Sequence, residues 1–280
     1  MMKKNRLHIA SLALATAMLW ASECPAAFAD TNISVGNNYG IVMGDNYGTV
    51  INAFDENGFH YQTTWEGPVR AIADVVKGWE ENGKEYQFFS FGRYMQETGD
   101  DDPILWRVLA VNRQSNRVLL LSEKILYAIP YGDSKWENSN VYQWLHGNFL
   151  TYAFNDSERP ALYSSNSRGT VFILSENDYR TPEYGFSKDL DADISRQAKS
   201  TTYAKDSGLI HTDCYYTLTP ASTTTMSAVM STGRIQEAGY ARNDVGVRPA
   251  MWIDLNKADF ALTGDGTQQF PFQIFDPSAQ

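Results

Sequence analysis

The sequence predicts an α+β fold built on antiparallel strands, with a few short helices and long loops. Three observations carry that expectation. Aromatic and aliphatic runs of strand length recur from residue 86 onward, helical spacing of apolar residues is confined to short stretches, and a segment rich in Ser, Thr and Asp separates the strand candidates.

The strand candidates come in order. Residues 86–94 (YQFFSFGRY), 103–111 (PILWRVLAV) and 117–122 (RVLLLS) are apolar on both faces, as central strands are, and 112–116 suits a hairpin turn. A short helix follows, capped by Ser139, with Val141, Trp144, Leu145 and Phe149 on one face and Ala153 and Phe154 after them. VFILSE at 171–176 echoes VLLLSE at 118–123 and reads as a second buried strand ending in a Ser/Glu turn. Residues 188–231 read as long loops. Two further strands close the domain, GVRPAMWIDL at 246–255 and FPFQIF at 270–275.

The N-terminal part is organised differently. Lys3, Lys4 and Arg6 precede an apolar run over 9–20, and the small residues Ala27 and Ala29 flank Phe28, so residues 1–29 read as a signal peptide cleaved before Asp30. Glu23 before Cys24 departs from a lipidation signal, which wants a small residue there. Cleavage leaves no other apolar run long enough to span a membrane. It also leaves 20 basic and 32 acidic side chains, and Cys214 as the single cysteine, so no intramolecular disulfide can form.

Residues 36–43 (GNNYGIVM) and 44–51 (GDNYGTVI) repeat at a period of eight, with Gly, Asn, Tyr, Gly and Val in register. This segment, 30–60, reads as short strands joined by tight bends or as a linker. From 61 to 83 the pattern gives one amphipathic helix: Pro68 opens it, Val69, Ile72, Val75, Val76 and Trp79 follow at helical spacing, and Asn82-Gly83 stops it. Residues 84–280 form the main domain.

Composition excludes some functions. With 33 acidic against 23 basic side chains and a net charge of -10, the chain lacks the cationic surface that nucleic-acid backbones require. There is no HExxH helix, no GxSxG elbow and no phosphate-cradling glycine loop. His211 and Cys214 in HTDC are the sole Cys/His neighbourhood of the chain that signal cleavage leaves. Asp189, Asp191 and Asp193 are spaced like the start of a calcium loop, but Ile194 stands at the turn position and Ser200 at the bidentate position, so calcium is a weak candidate and no cofactor is assigned. Asp100, Asp101 and Asp102 form a second acidic cluster.

Binding remains. Sixteen Tyr and seven Trp suit the recognition of sugar rings or peptide side chains when they stand on loops. Trp106, Trp144 and Trp252 fall in strand or helix patterns and belong to the core. Tyr215, Tyr216, Tyr240 and Arg242 are the candidate ligand-binding residues, with no catalytic or metal residue assigned. Arg248, inside a strand, reads as a structural ion-pair partner.

FGRY (91–94), PILWRVL (103–109), VLLLS (118–122), Trp136 with Asn138-Ser139, WL (144–145), AF (153–154), VFILS (171–175), TTYA (201–204) and GVRPAMWI (246–253) occur in an order that resembles the bacterial domain family DUF6273 over about 84–255. The family's middle motif is close to WLRSP, where this chain has YTLTP at 216–220. The same layout is similar to C-type lectin-like and formylglycine-generating-enzyme-like folds. The signal features, the lack of a catalytic motif and the aromatic load together lead to the expectation of an exported non-catalytic binding module of the cell surface or periplasm, with a glycan or protein ligand. An enzyme with another active site, or a structural subunit assembled through the repeat, are the alternative readings.

Overall fold

The computed structural model describes residues 34–35, 41–45, 48–55, 58–64, 87–97, 101–256 and 261–275, apart from positions 157, 166, 210, 240–244 and 265 within those stretches. The signal peptide, the helix expected over 68–83, Asp100, Tyr240 and Arg242 lie outside the described residues. The chain divides into two compact units, Met1–Pro68 and Val69–Gln280.

In the first unit, β1 (Ser34–Val35), β2 (Ile41–Asp45), β3 (Gly48–Asp55) and β4 (Gly58–Thr64) make a four-stranded antiparallel meander in sequence order. Its registers set Asp45 opposite Gly48 and Asp55 opposite Gly58. The short strands expected of the repeat are therefore present. Gly48 and Gly58 stand at the first positions of β3 and β4.

The second unit is mostly strands in mixed sheets with short helices. β5 (Phe88–Met95), β6 (Asp101–Asn112) and β7 (Arg117–Ser122) follow each other antiparallel, with Asn112 opposite Arg117 across the expected hairpin. The short β8 (Lys124–Ile125) and β9 (Tyr127–Ala128) come next. Ser139 then caps helix α1 (Asn140–Trp144), its hydroxyl accepting from the Tyr142 N–H at 3.1 Å. The helix continues through a π turn (Leu145–Phe149) into α2 (Leu150–Ala153), burying Val141, Trp144, Leu145, Phe149 and Ala153.

β10 (Leu162–Tyr163), β11 (Val171–Phe172) and β12 (Lys199–Ser200) are short, α3 spans Thr202–Asp206, and β13 (Tyr215–Pro220), β14 (Thr225–Val229) and β15 (Ile235–Gly239) form an antiparallel meander. β16 (Gly246–Val247), β17 (Ala250–Asp254), β18 (Ala261–Thr263) and β19 (Phe272–Phe275) complete the described strands. The larger sheet runs β10-β17-β7-β6-β5-β19-β18, with β11 also on β17; the smaller runs β15-β14-β13-β16-β9.

Two expectations are corrected. The segment 188–231 is not a run of loops, because β12, α3, β13 and β14 fall within it. Its threonines and tyrosines have the β-branched and aromatic character that favours strands, which outweighs their polarity. The expected strand 246–255 is two strands in two sheets: Val247 pairs with Tyr127, whereas Ala250 pairs with Leu121. Pro249 stands between them, and a residue without an N–H cannot carry a ladder across the junction. Three strand pairs are parallel: β8 with β12, β13 with β16, and β5 with β19.

Candidate functional site

The chain switches sheets at Arg248, which the surrounding strands bury completely. Its Nε donates to the Ser122 carbonyl at 2.8 Å and its Nη1 to the Tyr215 hydroxyl at 3.1 Å and the Arg196 carbonyl at 3.2 Å. Glu123 Oε2 lies 4.0 Å from Nη2. Glu123 itself is clamped by Arg107 through two bonds of 2.8 and 3.0 Å, and Arg107 Nη1 reaches the Ser195 carbonyl at 2.8 Å. Arg248 is thus an ion-pair partner that staples two sheets.

Tyr215 and Tyr216 do not stand on a loop. Both are fully buried in β13, where Tyr215 pairs with Val229 and Tyr216 with Ala228. Tyr215 packs on Tyr179, and its hydroxyl donates to the Arg196 carbonyl at 2.5 Å. Burial pushes this phenol's pKa up, so it stays neutral and can make that donation. These two residues are therefore corrected from ligand contacts to core. Alternation along a half-buried strand does not protect either face here, because β13 is covered on both.

The polar groups of this core converge on a surface loop, residues 187–196. Arg196 closes the loop and is itself fully buried. Its guanidinium sits among backbone carbonyls: Nε donates to Tyr179 at 2.8 Å, Nη1 to Asp191 at 3.0 Å and Gly233 at 3.2 Å, and Nη2 to Ser187 at 2.6 Å and to Asp189. Nη2 also reaches the Ser187 hydroxyl at 2.9 Å. Five carbonyls pointing inward at one positive charge is the arrangement a loop usually builds around a metal cation. Here the side chain of the loop's own arginine fills it, and Asp189 and Asp191 contribute carbonyls to a guanidinium.

Asp193 completes the frame. Its carboxylate accepts from the Ser187 N–H at 2.9 Å, from the Ser195 N–H at 2.9 Å and from the Ser195 hydroxyl at 2.7 Å, and lies 3.5 Å from Arg196 Nε. Partial burial raises its pKa, but these donors and the Arg196 charge outweigh it and hold the carboxyl below its usual range. The loop rests on the β14–β15 turn, where Asp193 N–H donates to Thr232 and Ile235 N–H to the Leu190 carbonyl. Gly233 in that turn has φ of +80°, and a Cβ there would lie 1.9 Å from the Asp193 carbonyl oxygen. Only glycine lets the turn and the loop approach so closely.

What this frame presents outward is apolar and charged, with two aspartates against one lysine, Lys188. Ile194 is 83% exposed and Leu190 41%, with Asp189 and Asp191 exposed on either side of Leu190. Tyr152 at the end of the helix is the third exposed large apolar side chain among the described residues.

Other candidates resolve as packing. Tyr127 stacks with Trp144, at 4.8 Å between ring centres, and with Tyr203, at 5.8 Å, so its ring is engaged in packing. Cys214 is buried and its thiol donates to the Thr212 carbonyl at 3.7 Å. Asp101 of the second acidic cluster pairs with Arg93. Among the described residues no three His, Cys, Asp or Glu side chains are placed to share a metal ion, and no helix is long and apolar enough to cross a membrane. The arginine-centred loop was missed in the sequence because an arginine within a polar run reads as solvated. Asp193 two residues before Ser195, a local capping spacing, was the available signal.

A family model described as a domain of unknown function, DUF6273, matches residues 115–255, which takes in the helix, the loop and its arginine, and the strands from β7 to β17. No curated protein matches the chain, nor does a solved structure.

Proposed function

The chain belongs to the DUF6273 family, and from that premise we propose that it is an exported, non-catalytic binding module of the cell surface or periplasm. The observation that carries this reading is the loop 187–196: its backbone is fixed from inside by Arg196 and Asp193, and it displays Leu190 and Ile194 to solvent. Ordering a surface loop costs roughly 1–2 kcal/mol per residue in backbone entropy, and this loop buries little apolar area in return. A rigid exposed loop lowers the entropic cost of association, since its bound conformation already exists. A scaffold of strands carrying one ordered recognition loop is also what a C-type lectin-like reading of the fold proposes. The arginine within the carbonyl cluster supports recognition that needs no calcium.

Peptide and glycan arrays probed with the purified chain, with calcium and with chelator, test the proposal. Saturable binding that chelation leaves unchanged is expected. Silence on both arrays, or conversion of an arrayed ligand to product, would overturn it. Export is tested separately: material released by a Gram-negative host should begin at Asp30, and exported protein with an intact Met1 would refute the signal peptide.

A further inference from the structure

The proposed binding role leaves the partner's chemistry open, and the outward face of the arginine-centred loop narrows it. Ile194 and Leu190 are aliphatic, not aromatic or amide-bearing, so they offer neither a stacking face nor hydrogen bonds to a sugar ring. What an exposed aliphatic side chain on a fixed backbone can do is fill an apolar pocket. Burying one fully is worth about 1.5–3 kcal/mol, and little entropy is lost when three backbone carbonyls of the loop, those of Ser187, Asp189 and Asp191, are already held by one guanidinium.

The charges beside the pair indicate the rim of that pocket. Asp189 and Asp191 are exposed next to Leu190 and outnumber the one exposed basic residue of the loop, Lys188; the backbone carbonyls of the two aspartates, not their carboxylates, are what Arg196 uses. The whole chain carries a net charge of -10, so its long-range field favours cationic partners and opposes an anionic lipid surface. We infer that Leu190 and Ile194 form a rigid apolar anchor for a polypeptide partner whose apolar residues are flanked by Lys or Arg. This rests on the reading of the chain as a binding module.

The test pans a random phage-displayed peptide library against the full chain. Enriched peptides should combine large apolar residues with Lys or Arg. Their affinity should fall at least about tenfold for Ile194→Asp and for Leu190→Asp, weaken with added salt, and stay unchanged for Tyr152→Ser. Because Ile194 is so exposed, Ile194→Asp should melt as the parent does; an unfolded Ile194→Asp would itself overturn the inference, and Ile194→Ser gives a milder second variant. Enriched peptides that bind Ile194→Asp and Ile194→Ser as tightly as the parent would place recognition elsewhere, overturning the anchor while leaving the binding module intact. Binding to glycans or to phosphatidylcholine–phosphatidylglycerol vesicles without peptide enrichment would overturn the partner class alone. No binding to peptides, glycans or vesicles would sink the anchor together with the proposed function.

Discussion

Replacing Arg196 with Met removes the charge and all six donated bonds while keeping an unbranched side chain in the space. The structure sets the size of the effect. Two of the acceptors, the Tyr179 and Gly233 carbonyls, are buried, whereas the others are part-buried and regain water once the loop loosens. Each buried acceptor left unsatisfied costs about 1–3 kcal/mol, which together give about 2–6 kcal/mol. The desolvation of a fully buried guanidinium is relieved at the same time, so the net should fall near about 3 kcal/mol, the lower end of what breaking a buried charge arrangement costs. Arg196→Lys should lie between, because an ammonium has three donors against the guanidinium's five. Urea denaturation of the full chain reads the global effect. Trypsin reads the local one, since Lys188 is exposed within the loop and cleavage after it requires the backbone to open. Cleavage after Lys188 should accelerate in Arg196→Met beyond what its global stability explains. A loss below about 1 kcal/mol with unchanged cleavage would show that the loop holds its shape without the arginine.

Three further outcomes are expected. Trp144→Ala deletes a side chain that is buried against Tyr127 and Phe149, and should lower stability by about 3–5 kcal/mol in denaturant titration; a change under about 1 kcal/mol would mean that the helix does not face the core. Gly169→Ala forces a Cβ to 2.0 Å from His146 Nε2 at a φ of +87°, and should lower the melting temperature, with His146→Ala in the same chain recovering the steric part but not the backbone part; simple additivity of the two would refute the contact. His146 is held neutral by burial, which lowers its pKa from 6.5, and its Nε2 accepts from the Thr170 N–H at 3.1 Å. The unfolded chain then binds this proton more readily, so stability is full above 6.5 and falls as pH drops through that value toward the lower folded one. His146→Gln should flatten that part of the pH profile, and an identical slope in parent and variant would remove His146 from the account.

The strands that were legible are the ones whose residues are apolar on both faces. β7 matches its expected span, 117–122, and β6 exceeds its own by two residues at the start and one at the end, because Val118 to Leu121 and Trp106 to Leu109 leave little choice but a buried strand. The helix was legible from Ser139 and four apolar positions. β13 was not, since Tyr, Thr and Leu in alternation suit an exposed loop as well as a strand covered on both sides, and only the partner strands decide. The same holds for the site. Sequence places Asp189, Asp191 and Asp193 together and suggests a cation at their centre; it does not show that the cation is the guanidinium three residues further on. That contact needs Tyr179 and Gly233, which lie 17 residues before and 37 after.

β19 lies parallel to β5 with Phe272 opposite Phe89, a separation of 183 residues, and the rings of these two residues pack with centres 5.3 Å apart. On a ribosome releasing about 5–20 residues per second, β5 emerges roughly 10–40 s before the strand that covers its outer edge. Throughout that interval a newly made chain keeps an unpaired strand edge, and the largest sheet cannot close. Under the proposed export this delay would be useful, because the sheet that would jam a translocation channel is the one that completes last. The corresponding weakness is that a nonsense codon only slightly upstream of residue 272 would leave that edge permanently open and turn a missing tail into a seed for aggregation.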